Sequence, residues 1–322
     1  MDVINIFVSR RIDTDSELVK NPLYFPVRCG AVYDTKNELN IPGDDTGKNI
    51  SVKRKTFCEF TVQYWAWKNM RADYYGLCHY RRFLSFSKKR FRTDERNLVH
   101  STMLTSASAK KFGLTNQDTM REVIGNYDAI VSEYADVRKI PTPQGIKQTV
   151  YEHWCAHDGQ LLEKGSIDSM ITLIKERQPQ YYPAALEYLH GNYHRGYNCY
   201  ILKKDLFFQL CEFQFSILFE IEKMLDTAGY DETLMRTPAY LGEILYGIFM
   251  FHIEKQGCYR IKEQQLVFFN HTEKAKNKKD LIRRYLSYRT DEILRMLADP
   301  VLPIGSKRRE FLKQILGAII KR

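Results

Sequence analysis

Short apolar runs alternate along the chain with longer stretches in which apolar residues recur every three or four positions. The runs predict buried strands at residues 3–8, 73–78, 127–133 and 197–203. The longer stretches predict helices at 53–69, 205–226, 238–254, 279–298 and 306–321, with helical periodicity also between 146 and 189. Residues 83–117 are polar and basic and are predicted to form a surface excursion. Because strands alternate with helices, the pattern predicts an α/β fold with a mostly parallel sheet.

Polar residues follow two of the predicted strands at the edge where such sheets bind ligands. Ser9 and Arg10 end the first strand, and the second strand runs into His79, Tyr80, Arg81 and Arg82. Two adjacent guanidinium groups suit bidentate, charge-assisted hydrogen bonds to a diphosphate. The same cluster is equally typical of a solvated turn whose arginines pair with nearby acids.

The run 45–83, DTGKNISVKRKTFCEFTVQYWAWKNMRADYYGLCHYRRF, resembles the DUF4422 family of bacterial glycosyltransferases. Members show a D-N-T-G-D-N-I-like loop, a C-E-x-T-x-x-Y-W-A-W-K-N helix and a G-L-C-H-Y-R-R strand end. Blocks at 151–157, 197–204 and 236–243 also fit. The resemblance implies a GT-A-like, Rossmann-type nucleotide-sugar-binding α/β sandwich with extra C-terminal helices.

The resemblance also implies an activity. It predicts transfer of a hexose, with galactose or galactofuranose as the first candidates, from a UDP-sugar donor to a lipid-linked oligosaccharide acceptor. Such transfer would serve capsule, exopolysaccharide or lipopolysaccharide synthesis. The alternative is a non-catalytic module that binds a nucleotide-sugar or a glycan and has a degenerate Asp-x-Asp site.

A GT-A fold usually places an Asp-x-Asp pair at the end of a central strand to hold a divalent cation on the diphosphate. Here that strand ends in His79-Tyr80-Arg81-Arg82, without a carboxylate pair. We expect Arg81 and Arg82 to neutralise the diphosphate and His79 to face the donor; Mn²⁺ or Mg²⁺ with His79 as a ligand is the alternative. A literal Asp-x-Asp, at 13–15, is typical of a turn.

Three residues of the loop before the first helix, Asp45, Gly47 and Asn49, match the family and are predicted to bind the donor. The loop could equally cap the helix at 53. Glu59, within that helix, is predicted to orient Arg81 or Arg82 from behind; a surface position is the alternative.

An inverting glycosyltransferase needs a general base within reach of the acceptor hydroxyl. Glu243 is the first candidate and His157 the second, although Ile244 stands where many family members have Arg. The block 190–198 is rich in groups that bind sugars, and the predicted acceptor-binding residues are His194, Tyr197 and Asn198.

Charge is concentrated near the end of the chain. Residues 272–322 hold 14 Lys or Arg and 6 Asp or Glu, within a total formal charge of +10. The nearly neutral remainder argues against a nucleic-acid-binding body. We therefore predict a transferase domain at 1–275 and a basic helical tail at 276–322. The amphipathic pattern at 306–322 favours contact with an anionic membrane surface, although a helix docked on the body has the same periodicity.

Seven cysteines without any C-x-x-C pair are typical of reduced thiols in a cytoplasmic protein. Asp2 stands where a secretory signal would carry basic residues, so we expect no signal peptide. Together with the basic tail, this predicts a cytoplasmic protein at the inner face of the cell membrane.

Overall fold

The computed structural model describes residues 2–35, 40–298, 301 and 308. Its strands are β1 (Ile4–Arg10), β2 (Tyr24–Arg28), β3 (Tyr74–His79), β4 (Arg82–Leu84), β5 (Leu98–Met103), β6 (Ala129–Ser132), β7 (Ala135–Asp136), β8 (Tyr193–His194), β9 (Tyr200–Lys203), β10 (Ile261–Gln264) and β11 (Leu266–His271). Its α-helices are α1 (Arg54–Phe57), α2 (Phe60–Asn69), α3 (Ser106–Lys111), α4 (Gln117–Gly125), α5 (Val150–Cys155), α6 (Ser166–Arg177), α7 (Tyr182–His190), α8 (Lys204–Met224), α9 (Thr237–Gln256) and α10 (Lys278–Ala298).

A six-stranded sheet lies at the centre, in the order β10-β6-β9-β3-β1-β2. Strand β1 pairs in parallel with β2 and β3, and β6 pairs in parallel with β10. Strand β9 runs antiparallel to both of its neighbours, β3 and β6. The α/β class is confirmed, but the sheet is mixed at β9, because an apolar run indicates a strand without indicating its direction.

The two faces of the sheet are covered differently. Helices α2, α8 and α9 pack on one face, in a core that includes Phe60, Phe213 and Tyr246. Gly242 lets α9 approach α2, since a Cβ there would lie 2.3 Å from a Phe60 ring carbon. The other face is covered by the small sheet β4-β11-β5 with α3 and α4.

The region 83–117 is not the surface excursion that its polar character predicts. It contributes β4, β5 and α3 to a second hydrophobic core, which lies between the central sheet and the small sheet. Phe83, Phe112 and Leu114 are almost completely buried in this core. The apolar residues that form this core are dispersed among basic ones, so that no window of the sequence has a regular apolar period.

The helix predicted at 53–69 is interrupted. Cys58 has φ 48°, which ends α1, and α2 begins two residues later. This break turns the side chains of Cys58 and Glu59 towards the ends of β1 and β3, and it therefore shapes the site described below.

Helix α10 matches the helix predicted at 279–298. Several of its apolar side chains are exposed, among them Leu281, Ile282, Tyr285 and Leu286. The helix predicted at 306–321 falls outside the described residues, and the boundary at 275 remains a prediction. None of the helices in the described part of the chain has both the length and the hydropathy that crossing a membrane requires.

Candidate functional site: an arginine cleft at the ends of three strands

An open cleft of about 230 Å³ lies where β1, β2 and β3 end. Parallel pairing brings these ends to one edge of the sheet, with Ser9 opposite both Val27 and His79. We call this cleft the arginine cleft; its lining consists of Ser9, Arg10, Arg11, Cys29, Arg54, Cys58, Glu59, His79, Tyr80, Arg81 and Arg236.

Positive charge dominates the arginine cleft. Within the described residues its lining has five arginines and a single carboxylate, that of Glu59. The Nε atoms of Arg10 and Arg81 are buried and have no hydrogen-bond partner in the described part of the chain. Buried cationic donors without a partner are costly. An anionic ligand would supply the missing negative charge.

His79 faces this cleft as a neutral imidazole. Burial lowers its pKa well below the usual value, and the nearby charges of Arg82 and Arg81 lower it further. Its Nδ1 is buried and has no partner among the described residues. A neutral imidazole there can donate a hydrogen bond to a ligand from one nitrogen and accept one at the other.

The two adjacent arginines share one neighbour, the Phe268 ring, whose centre lies 5.3 Å from the Arg81 guanidinium and 5.5 Å from that of Arg82. Arg81 lines the arginine cleft, whereas Arg82 does not. The Arg82 guanidinium instead lies 4.7 Å from the centre of the Tyr197 ring. Arg81 lies in the turn between β3 and β4, and Arg82 is the first residue of β4.

Strained backbone positions two carboxylates at the edge of this cleft. Tyr197 and Asn198 have φ values of 72° and 41°, in the region that favours glycine. Asn198 Nδ2 donates to Glu59 Oε1 at 3.2 Å, and the Tyr197 N–H donates to Glu243 Oε2 at 3.2 Å. Glu59 is therefore bound to Asn198, while no ion pair joins it to Arg81 or Arg82 in the described residues. Strain of this kind concentrates at functional sites.

Glu243 has the acid–base properties of a general base near neutral pH. Burial and the nearby Glu59 carboxylate raise its pKa to about 7, against the opposing effects of Arg82, Arg236 and the Tyr197 N–H. Arg236, just before α9, and Tyr240 and Glu243 within it are four and three residues apart. At this spacing they lie on the same side of the helix. The N-terminal end of α9 thus places Arg236 in the lining of the cleft and Glu243 next to the cleft.

The loop of Asp45, Gly47 and Asn49 lies outside the lining of the arginine cleft. Asn49 Nδ2 donates to the carbonyl oxygens of Asp45 and Gly47, both at 3.1 Å. Asn69, at the end of α2, binds the same loop through Lys48. Asn49 Oδ1 also accepts a hydrogen bond from the Ser51 N–H at 3.2 Å, as expected for the alternative in which the loop caps the start of the helical segment. The role of this loop in donor binding stays a prediction.

The neighbouring Asp44, which the sequence did not single out, has a clear structural task. Its buried carboxylate accepts hydrogen bonds from the backbone N–H groups of Gly30 and Ala31, both at 2.9 Å. It thereby holds the turn after β2 that places Cys29 in the wall of the arginine cleft.

The two predicted histidines lie beyond the cleft, around Trp154. The His157 ring centre is 6.2 Å from that of Trp154, and the His194 ring centre is 5.4 Å from it. His194 is buried, with Nδ1 2.8 Å from the Tyr188 hydroxyl, and burial lowers its pKa to about 3. His194 is therefore neutral and held by the protein.

Several residues of the cleft were not predicted, notably Arg54, Cys58 and Arg236. Arg236 could have been found from its position. It precedes the first turn of α9, where the helix dipole disfavours a positive charge. A positive charge at this unfavourable position indicates a role other than stabilising the helix.

The carboxylates of the literal Asp-x-Asp are already paired. Asp13 forms an ion pair with Arg11, and Asp15 lies 3.0 Å from the Lys274 ammonium. Throughout the described ranges, no group of three or more His, Cys, Asp or Glu side chains is placed to hold a metal ion. Neither Asp13 nor Asp15 lines the arginine cleft, so the literal Asp-x-Asp does not fit a metal-bridged diphosphate in that cleft.

Comparisons with known proteins place this geometry in context. No curated protein matches the chain. A solved structure described as "WbbM bifunctional glycosytransferase apo structure" superposes with a TM-score of 0.75 and 28% identity. The match covers 84% of this chain and 46% of that one, so this chain spans about half the length of its neighbour. The likeness confirms the predicted fold class.

The family model described as "Domain of unknown function (DUF4422)" matches residues 7–255, which include the arginine cleft and Glu243. The predicted resemblance is thereby confirmed, and the chain belongs to the DUF4422 family.

Proposed function

We propose that this protein is a glycosyltransferase that moves a hexose from a UDP-sugar to a lipid-linked oligosaccharide during surface-polysaccharide synthesis. The observation that carries the proposal is the arginine cleft, with the buried and unpartnered guanidinium nitrogens of Arg10 and Arg81 at the ends of the strands. The likeness to a bifunctional glycosyltransferase supports the same reaction class. Galactose, in pyranose or furanose form, is the first donor sugar to test.

The arginines of the cleft bind the diphosphate of the donor. Arg10, Arg81 and Arg236 approach it from the end of β1, the turn after β3 and the position before α9. Arg10 is held in place by hydrogen bonds to the carbonyl oxygens of Ser16 and Glu17. Fixed donors of this kind stabilise a transition state strongly because they are oriented before the reaction begins. The neutral His79 donates a hydrogen bond to the donor sugar or its phosphate.

Glu243 acts as the general base in a single displacement. The acceptor hydroxyl gives its proton to the Glu243 carboxylate, and its oxygen forms a bond to the anomeric carbon. The bond from that carbon to the diphosphate oxygen breaks, and the diphosphate leaves with the electron pair. With a pKa of about 7, Glu243 is substantially ionised at neutral pH and strong enough as a base to take the proton. His157 is the second candidate for this role.

A membrane surface is the proposed location of the acceptor. The exposed apolar side chains of Leu281, Ile282 and Leu286 on α10 stand among basic residues such as Lys279 and Arg283. A helix with this composition suits the boundary of an anionic leaflet, where each basic residue contributes about 1 kcal/mol. The basic segment 306–322 would add to this attraction. Sedimentation with vesicles of anionic and of neutral lipid tests it, and equal binding to both would contradict it.

The decisive experiment for the reaction combines ligand binding with turnover on the full chain. Thermal unfolding with UDP, GDP, CMP and UDP-hexoses, each in EDTA or Mn²⁺, identifies the donor; a ligand at a hundred times its Kd should stabilise the protein by about 2.7 kcal/mol. UDP release from the stabilising UDP-hexose then measures turnover. We expect binding in EDTA and release that depends on Glu243. Binding without any release would instead favour a non-catalytic module.

A further inference from the structure

A second group of rings lies next to the arginine cleft, and only His157 among them has a task in the steps above, as the second candidate base. We call it the Trp154 cluster and define it as His153, Trp154, His157 and Tyr240. The Trp154 ring centre lies 6.0 Å from that of His153, 6.2 Å from that of His157 and 6.3 Å from that of Tyr240. Helix α5, the turn that follows it and helix α9 thus bring one indole, two imidazoles and one phenol together.

The cluster begins where the cleft ends. The Arg236 guanidinium, which lines the cleft, lies 5.3 Å from the centre of the Tyr240 ring. Glu243 follows on the same side of α9, less than one turn after Tyr240. A ligand in contact with Tyr240 would therefore lie between the proposed base and the Trp154 indole.

Two polar atoms of the cluster have unused hydrogen-bonding capacity. Trp154 Nε1 and His153 Nδ1 belong to side chains that are 7% exposed, and neither has a partner in the described residues. Buried polar groups are nearly always paired in native proteins. Hydroxyl groups of a bound molecule would provide the missing partners.

The electrostatic character of the cluster differs from that of the cleft. Burial lowers the pKa of His153 to about 4, and it also lowers the pKa of His157, so both imidazoles are neutral at neutral pH. The exposed Arg96 is the cation that contributes to both shifts. Neutral rings with a few donors suit an uncharged, hydroxyl-rich ring that has an apolar face.

We propose that the Trp154 cluster is the subsite for the terminal sugar of the acceptor, and that this sugar is an uncharged hexopyranose. Its apolar face lies against Tyr240, and its hydroxyls pair with Trp154 and His153. This inference rests on the proposed function, because it assigns the partner substrate of that reaction.

The test uses methyl hexosides as probes. The α- and β-methyl glycosides of glucose, galactose, mannose and N-acetylglucosamine are titrated into the full chain with saturating UDP, and binding is measured by saturation-transfer difference NMR. We expect at least one methyl hexoside to bind together with UDP. Trp154→Phe should weaken its binding about tenfold, which corresponds to about 1.4 kcal/mol, and should leave the Kd of UDP unchanged.

Two further variants keep the test interpretable. Trp67→Phe is the matched control, since Trp67 stacks on Phe215 with ring centres 5.8 Å apart, outside the cluster, and it should bind the hexoside as the unmodified chain does. Tyr240→Leu removes the partly exposed ring and should weaken hexoside binding even if Trp154→Phe does not fold.

Three results would overturn the subsite: no methyl hexoside binds, UDP displaces it, or neither variant changes its affinity. If UDP still binds and UDP-hexose is still turned over, only the subsite fails. If the hexoside binds as expected and no nucleotide does, the cluster is a sugar site and the proposed function fails.

Discussion

The arginine cleft and the Trp154 cluster are neighbours with opposite electrostatics. Five guanidinium groups line the cleft, whereas the imidazoles of the cluster are kept neutral by burial. Arg236 and Tyr240 are in contact at the border, and Glu243 lies on the same helix. In the proposed reaction, positive charge is therefore concentrated in the cleft, where the diphosphate would leave. The Trp154 cluster, where an uncharged hydroxyl would attack, has neutral imidazoles. The predictions below separate the two regions.

The largest effect on turnover is expected from Glu243→Gln, at the border between the arginine cleft and the Trp154 cluster. Without the base, kcat should fall by about 100- to 10,000-fold, while the Kd of UDP should stay the same because Glu243 does not line the cleft. Steady-state kinetics and UDP titration measure both. Glu187→Gln, in an exposed ion pair with Lys255, is the control. An equal loss of UDP affinity in Glu243→Gln would place this carboxylate in the donor site instead.

The next effect is expected in the cleft, from Arg81→Ala. Loss of one fixed cation at the leaving group should lower kcat/KM by about 100-fold, and UDP should bind more weakly. Arg90→Ala is the control, since Arg90 is exposed and pairs with Glu133. Methyl hexoside binding should be the same in both variants. A parallel loss of hexoside affinity in Arg81→Ala would mean that the two regions are one site.

A smaller effect is expected from Gly196→Ala, which acts on the acceptor side. A Cβ at this position would lie 2.7 Å from His194 Nε2 and 3.5 Å from Glu243 Oε2. The His194 ring must shift, at a cost of about 1–3 kcal/mol in the free energy of unfolding, and the added methyl group touches the Glu243 carboxylate. Turnover should fall while the Kd of UDP is preserved. Gly125→Ala, which meets nothing within 4 Å, is the control in thermal unfolding. Unchanged turnover would show that the position of the groups around the Glu243 carboxylate does not affect catalysis.

The smallest effect is a displacement of the pH profile. Since the pKa of Glu243 is about 7, kcat/KM should fall as the pH drops below 7, where this carboxylate becomes protonated. Glu59→Gln removes a negative charge that raises the pKa of Glu243, so the fall should move to lower pH. The amide oxygen introduced by this substitution can still accept the hydrogen bond from Asn198. A uniform loss of activity at every pH would indicate a purely structural role for Glu59.

The sequence was sufficient to predict where the cleft lies, but not all the residues that line it. Ser9, Arg10 and His79 could be placed at the sheet edge because apolar runs end in polar residues at the ends of β1 and β3. That Arg81 lines the cleft and Arg82 does not could not be predicted, since it depends on where β4 begins.

The remaining features depend on packing and on backbone conformation. Cys58 has a positive φ that no hydrophobic period indicates, and this break brings Glu59 to the cleft. Glu243 was found through the family match, but its raised pKa depends on burial and on the approach of Glu59. The second core at 83–117 escaped prediction because its buried side chains are dispersed among basic ones.

The most direct test of the central claim is a calorimetric titration of the full chain with UDP and with uridine in the presence of EDTA. We expect UDP to bind without metal and uridine, which lacks the diphosphate, to bind at least about 100-fold more weakly, a difference of about 2.7 kcal/mol. Arg81→Ala should reduce that difference. Equal affinities for UDP and uridine, or UDP binding only with Mn²⁺, would contradict the claim that the arginine cleft holds the diphosphate.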